Sequence, residues 1–259
     1  MPPARILFLL ATIGGIGFTI RSVLTEPPAL AVSVAIASLY LGLLLCGVFF
    51  LRLRMFADAL VHGPSSANGV ALTFDDGPDP VHTREVLDAL DKHEAKATFF
   101  VIGHKAEKHP DLVREILERG HTVGVHGFAH DRLFSLRGSK RVRSDLERAI
   151  RVLEIITDRT PTLFRPPIGH TNPTIARIAD QLDLTMVGWS VRARDGLASA
   201  TPAAVVSRIS RGLEDGAIVL LHDAAERGDR KPAGVTALPE ILEKIAAKNL
   251  RVVSLATWL

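Results

Sequence analysis

The stretch Val70-Ala71-Leu72-Thr73-Phe74-Asp75-Asp76-Gly77-Pro78 decides the fold. Valine, leucine, threonine and phenylalanine in short succession favour a buried strand, and Gly77-Pro78 stops it. Two adjacent carboxylates therefore stand at the strand's C-terminal end. Successive strand side chains point to opposite faces, so the two acids are free to take different work. An unpaired carboxylate at a buried strand end is costly, so each needs a metal, a cation or hydrogen-bond donors. Taken alone, the dipeptide also fits a polar turn whose acids cap the next segment.

Downstream, from Gly69 to Leu259, short apolar runs alternate with amphipathic stretches, the pattern of parallel strands joined by helices. Strands are predicted over Val70–Phe74, Ala97–Ile102, Thr122–Val125, Thr162–Phe164, Leu184–Trp189, Ala217–Leu221 and Arg251–Leu255. Pro110 opens and Gly120 closes one helix, Asn172-Pro173 opens another and Thr201-Pro202 a third. The fold class is α/β, with about seven strands in a barrel or an open parallel sheet.

The reactive residues decide for a barrel. Asp75 and Asp76 follow the first strand, His126 the third, Arg165 the fourth and His222 the sixth. Each stands at the C-terminal end of its strand, where parallel barrels gather their sites. His126-Gly127-Phe128-Ala129-His130 sets two imidazoles four residues apart, a spacing that on one helical turn faces both at the same point. A lone histidine pair is more often surface decoration. Beside an Asp-Asp strand end, two histidines and one carboxylate make a facial ligand set with open positions. Arg165-Pro166-Pro167-Ile168-Gly169 is a stiff loop presenting an arginine, and Leu220-Leu221-His222-Asp223 puts a histidine after an apolar strand.

In this order the motifs Thr73-Phe-Asp-Asp-Gly-Pro78, His126-x-x-x-His130, Arg165-x-Pro167-x-Gly169, Trp189-Ser190 and Leu220-x-His222-Asp223 resemble the five motifs of the NodB-type polysaccharide deacetylases, carbohydrate esterase family four. Lys96-Ala97-Thr98-Phe99-Phe100 and Gly120-His121 match as well. The resemblance spans about 190 residues and implies an irregular (β/α) barrel with fewer than the regular eight strands. It implies Asp75 as general base, Asp76, His126 and His130 as metal ligands, His222 as general acid and Arg165 as the partner of Asp75. Asp195 would tune His222. The backbone N–H of Ile168 would join the metal at the oxyanion, and Pro167, Trp189 and Leu220 would complete the oxyanion and substrate walls. Zinc is the default ion for such a site, with cobalt or manganese also suited.

The expected reaction is hydrolysis of an N-acetyl group on an amino sugar, of the peptidoglycan or chitin kind, giving acetate and a free amine. A lipid-linked acyl amino sugar and a non-catalytic carbohydrate-binding member are the alternatives. Three departures bear on substrate. Gly127 replaces a usual hydroxyl residue and Ile168 a common aromatic. In Arg192-Ala193-Arg194-Asp195-Gly196 the pattern Asp-x-x-Asp-Trp has lost its first acid and its tryptophan. Two arginines at the mouth would favour an anionic substrate, or stand as ordinary solvated charges.

Upstream lies a different composition. Residues 6–20 are apolar apart from Thr12 and Thr19, and residues 29–51 form an uncharged run of about 23, against about 20 needed to cross a bilayer. The second is predicted to span. The first, at about 15 residues, is marginal and also reads as a signal peptide with Ala29-Leu30-Ala31 as its cleavage site. The expected organisation is a membrane region over 1–54, a juxtamembrane segment and polar linker over 55–69, and a catalytic domain over 70–259. A linker reaching only about 30 Å keeps that domain close to the bilayer of a bacterial cell membrane. Arg5 before the first run and Arg52 and Arg54 after the second favour both ends in the cytoplasm if both runs span.

The net charge of +3, with no basic stripe interleaved with aromatics, argues against a nucleic-acid partner. The single cysteine, Cys46, lies within the second apolar run and permits no intrachain disulfide.

Overall fold

Strand parity builds the site before any helix is considered. The computed structural model describes residues 1–259. Its strands are β1 (Ala71–Asp75), β2 (Thr98–Val101), β3 (Thr122–Val125), β4 (Leu163–Phe164), β5 (Thr185–Met186), β6 (Val191–Arg192) and β7 (Ile218–His222). All neighbours are parallel, in the order β5-β4-β3-β2-β1-β7-β6. The sheet curls into a half-barrel whose end strands do not pair with each other.

On β1, Leu72 and Phe74 join the large core between sheet and outer helices, while Ala71 joins a small core inside the curl. Asp75 shares Ala71's parity and so points inward. On β7 the same alternation sends Val219 and Leu221 outward and Ile218, Leu220 and His222 inward. The β1–β7 register sets Asp75 beside His222.

The connecting helices are α3 (His82–Lys92), α4 (Gly103–Lys108), α5 (Pro110–Glu118), α6 (Ser139–Thr157), α7 (Pro173–Gln181), α8 (Pro202–Gly212) and α9 (Ala233–Ala247); α1 (Pro3–Leu24) and α2 (Leu30–Phe49) precede them. Asn172 caps α7, its side-chain oxygen accepting from the Ile175 N–H at 2.8 Å, and Thr201 caps α8 in the same way.

Two strand predictions change. Arg251–Leu255 is not a strand: Val252 makes one bridge to Val70, and Leu255–Trp258 winds into a 3₁₀ turn. The seventh strand is β6, two residues long. Its brevity hid it, since Val191-Arg192 offers no period to read.

Both N-terminal helices are long and apolar enough to cross a membrane, α1 with 22 residues and α2 with 20. They run as a hairpin with both outer ends against the barrel. Near the start of α1, the Arg5 guanidinium donates to Asp58 at 3.0 Å and to the carbonyls of Arg54 and Met55. The 55–69 segment lies on the barrel rather than free of it. Met55, Ala57, Ala59 and Ala67 are buried, and Leu60 adds a parallel bridge to Val187, beside β5.

Candidate active site

The inward residues converge on one cavity of about 490 Å³ at the C-terminal end of the strands, within the usual range for small-ligand sites. Asp75, Asp76, His126, His130, Ile168, Trp189, Leu220 and His222 line it. The two acids do not face opposite ways. Asp76 lies past the end of β1 with φ +74°, outside the strand's alternation, and its carboxylate returns to the cavity that Asp75 faces. Gly77 is required behind it, because a Cβ there would lie 2.2 Å from Asp223 Oδ2.

Arg165 is wholly buried beneath Asp75. Its Nη1 donates to Asp75 Oδ1 at 2.6 Å and to Thr73 Oγ1 at 2.9 Å, and Nη2 donates to the Gly188 carbonyl at 2.8 Å. The Phe100 ring covers the guanidinium, 4.2 Å from ring centre to Cζ. The second oxygen of Asp75 stays directed at the cavity side, 3.7 Å from His126 Nε2.

Three ligand atoms from Asp76, His126 and His130 lie within 4.8 Å of one another, all buried. His126 Nδ1 is 2.7 Å from the Arg165 carbonyl, which can only accept, so the proton sits on Nδ1 and Nε2 presents a lone pair. Burial, reinforced by the Arg165 charge, pushes the His126 pKa down to about 3, and burial lowers that of His130 too. Both rings are neutral. Their Nε2 atoms stand 3.6 and 3.2 Å from Asp76 Oδ1, a buried oxygen with no hydrogen-bond partner. The lone pair of His126, the Nε2 of His130 and a carboxylate oxygen thus face one another. Burial raises the Asp76 carboxyl to about 7, marking how poorly the site holds this charge by itself. A divalent cation fits this donor set.

The histidine pair is not on a helical turn. Residues 126–130 form a bend with Gly127 at φ +75° and His130 at φ +49°. Asp145, reaching across from α6, accepts the Phe128 N–H at 2.8 Å and the Ala129 N–H at 3.2 Å, holding the bend. A Cβ on Gly127 would meet that carboxylate at 3.0 Å.

Asp195, fully buried, accepts from His222 twice: Nδ1 at 2.9 Å and the backbone N–H at 2.9 Å. Burial alone would lower the His222 pKa. The charge and hydrogen bond of Asp195, aided by Asp76 and Asp75, outweigh burial and carry it up to about 9. Pro167 is not on the cavity wall; it is buried behind, against Gly127. His170 turns away from the cavity, its ring meeting Phe49 edge-on at 4.7 Å.

Two participants escaped sequence reading. Glu226 lines the cavity 3.4 Å from His130 Nδ1 and is itself paired with Arg132. Lys105 donates to the carbonyls of Asp76 and Ala225, both at 2.7 Å, tying the first acid loop to the loop after β7. Neither sits at a strand end, so position gave no signal for them.

A half-barrel with paired carboxylates, two neutral imidazoles and a charged histidine at its strand ends defines the class: a barrel hydrolase with a metal-ligand cluster. Residues 62–187 match the polysaccharide deacetylase family. Over 199 residues the chain is 34% identical to a peptidoglycan-N-acetylglucosamine deacetylase of Bacillus cereus, covering 76% of this chain and 90% of that protein. A solved peptidoglycan N-acetylglucosamine deacetylase bound to an N-oxidanyl-benzamide superposes with TM-score 0.72 and 30% identity, over 77% of this chain and 91% of the other. A family 4 acetyl xylan esterase from Clostridium thermocellum, in complex with a cobalt ion, gives TM-score 0.66 and 32% identity over 73% and 89%. The chain belongs to the polysaccharide deacetylase family. Its reaction class is hydrolysis of a carbon–nitrogen bond other than a peptide bond.

Proposed function

We propose that the chain is a membrane-held, metal-dependent hydrolase that removes N-acetyl groups from amino sugars of a glycan such as peptidoglycan or a chitin-like oligosaccharide. The observation that carries this is the pairing of two acid–base groups around one ligand cluster. Asp75 is held by Arg165, and His222 is held by Asp195.

Asp76, His126 and His130 would hold the ion, zinc by default with cobalt or manganese as substitutes. When bound it would supply Lewis acidity at the amide carbonyl, where an unassisted amide is a poor electrophile. Asp75, kept aimed by Arg165, takes a proton from the attacking water as its oxygen bonds to the carbonyl carbon. His222 gives its proton to the nitrogen as the C–N bond breaks. Acetate and a free amine leave. The Ile168 backbone N–H, on a turn at φ +53° beside the cavity, is the protein's own donor to the developing oxyanion. Trp189 and Leu220 form the apolar wall for the sugar.

Residues 1–54 serve as the membrane hairpin and 70–259 as the catalytic domain, joined by the packed 55–69 segment. A lipid-linked acyl amino sugar is a second reading, favoured by the seating of α2 against the loop after Arg165, where the Thr171 N–H donates to the Val48 carbonyl at 3.1 Å.

Acetate release from chitotetraose and from peptidoglycan fragments tests the proposal. Chelation is expected to stop release and added zinc to restore it. Asp75→Asn is expected to retain bound metal by elemental analysis while losing at least about 100-fold in kcat; Asp76→Ala should lose the metal itself. Full turnover by Asp75→Asn would remove the base assignment.

A further inference from the structure

Five arginines line the cavity: Arg132, Arg192, Arg194, Arg227 and Arg230. Three have partners. Arg132 and Arg227 face Glu226, and Arg230 donates to the Gly196 and Leu197 carbonyls. Arg192 and Arg194 are exposed and pair with no carboxylate. Arg192 ends β6 in register with Leu220, itself a cavity residue, and its guanidinium stands 5.7 Å from the Trp189 ring centre. Arg194 follows two residues on, with φ +57° turning the chain. Arg192 stands where the family pattern carries its first acid, Gly196 stands in place of its tryptophan, and with Arg194 between them the mouth holds two planar cations that no carboxylate pairs. Such forks suit the oxygens of a phosphate, which each can grip through two hydrogen bonds.

The membrane side of the molecule meets the same place. Phe49, the last residue of α2, packs on His170, and Arg192 is near enough to His170 to help burial push its pKa down. Leu51 packs over Gly188, whose carbonyl holds Arg165; a Cβ at Gly188 would be 3.3 Å from it. The end of α2 thus sits on the His170 loop, and Leu51 just beyond it covers Gly188, on the same strand-end side as the cavity mouth.

We infer that Arg192 and Arg194 form an anion site at the mouth that takes the phosphate of a phosphate-bearing N-acyl amino sugar, while the acyl group reaches the Asp76–His126–His130 cluster. The inference rests on the amide-hydrolase reading above and adds the substrate class. The phosphate has two sources, a polyprenyl-phosphate-linked sugar in the bilayer or a soluble sugar phosphate.

The test uses full-length, zinc-loaded protein in lipid nanodiscs. Acetate release is measured from three compounds: polyprenyl-phosphate-linked N-acetylglucosamine, N-acetylglucosamine 1-phosphate and uncharged chitotetraose. Efficiency on a phosphorylated sugar is expected to exceed that on chitotetraose by about tenfold or more. Arg192→Gln with Arg194→Gln should cut this ratio about tenfold, through KM rather than kcat, and Arg192→Lys with Arg194→Lys should keep only part of it, the charge remaining while the two-bond grip is lost. Calorimetric binding of the 1-phosphate to Asp75→Asn should weaken with the same glutamine pair. Preference for the polyprenyl compound over the 1-phosphate assigns the bilayer source, and equal use assigns the soluble one. A ratio near one in the wild type, or a ratio and a binding constant that the glutamine pair leaves unmoved, overturns the anion site. Acetate from none of the three, with arginine-dependent binding intact, would instead strike the hydrolase reading and leave the anion site standing.

Discussion

The Asp195–His222 pair fixes how the molecule should respond to pH. His222 is lifted to about 9, so its proton is present through neutral pH and lost as pH rises through that value. The alkaline limb of kcat/KM should therefore follow His222, lowered by repulsion wherever a cation is bound nearby. Asp195→Asn removes the charge that lifts it, and the limb is expected to move down by about one pH unit or more. The stability linkage has the same sign. Because the folded pKa exceeds the unfolded one, the pair's contribution is complete below about 6.5 and disappears as pH rises through about 9. The melting temperatures of wild type and Asp195→Asn should converge across that window.

Arg165 offers a second residue-scale test. Arg165→Met leaves Asp75 buried and unpaired and should cost about 3–5 kcal/mol in thermal unfolding. Adding Asp75→Leu should recover part of that stability while activity stays lost, because a buried pair replaced whole is far less costly than one half removed. At this scale the sequence was informative wherever a reactive residue ended a strand: Asp75, His126, Arg165 and His222 all fall there. It was silent on Glu226 and Lys105, whose places depend on how two loops meet, and misleading on the shape of residues 126–130, where spacing alone implied a helical turn.

At the scale of elements, the turn after β1 is a packing joint. Gly77→Ala would drive a methyl into Asp223, which holds Thr83 through a 2.5 Å hydrogen bond at the start of α3. A loss of about 1–3 kcal/mol is expected by chemical denaturation. Six of the seven strands were legible because each lies within a longer strand-like stretch of the sequence, even where, as in β4 and β5, only two residues pair. Val191-Arg192 was not, being held by its β7 register rather than by its own pattern, and Arg251–Leu255 has strand-like composition but finds only one bridge. The caps at Asn172 and Thr201 were readable because capping is local chemistry.

For the whole molecule, the hairpin brings the N-terminal Arg5 and the post-α2 segment to the same side as the barrel. With arginines at both outer ends, that side is expected to be the cytoplasm. A paired reporter fused after Leu259, one half active only inside the cell and the other only outside, checks it. An external signal would overturn the orientation and point to mature wall polymer. The length and apolarity of α2 were plain in the sequence, whereas its grip on the Arg165 loop was not, since nothing in an uncharged run says which barrel loop its end will meet.

The bridge from Leu60 to Val187 has a practical consequence for anyone cutting the chain. The Leu60 N–H donates to the Met186 carbonyl and the Gly188 N–H to the Leu60 carbonyl, both at 2.8 Å, so this short segment is the outermost stave on one side of an unclosed barrel. A soluble fragment begun at Val70 would bare the β5 edge and invite edge-to-edge association. One begun at Met55 would carry its own cover.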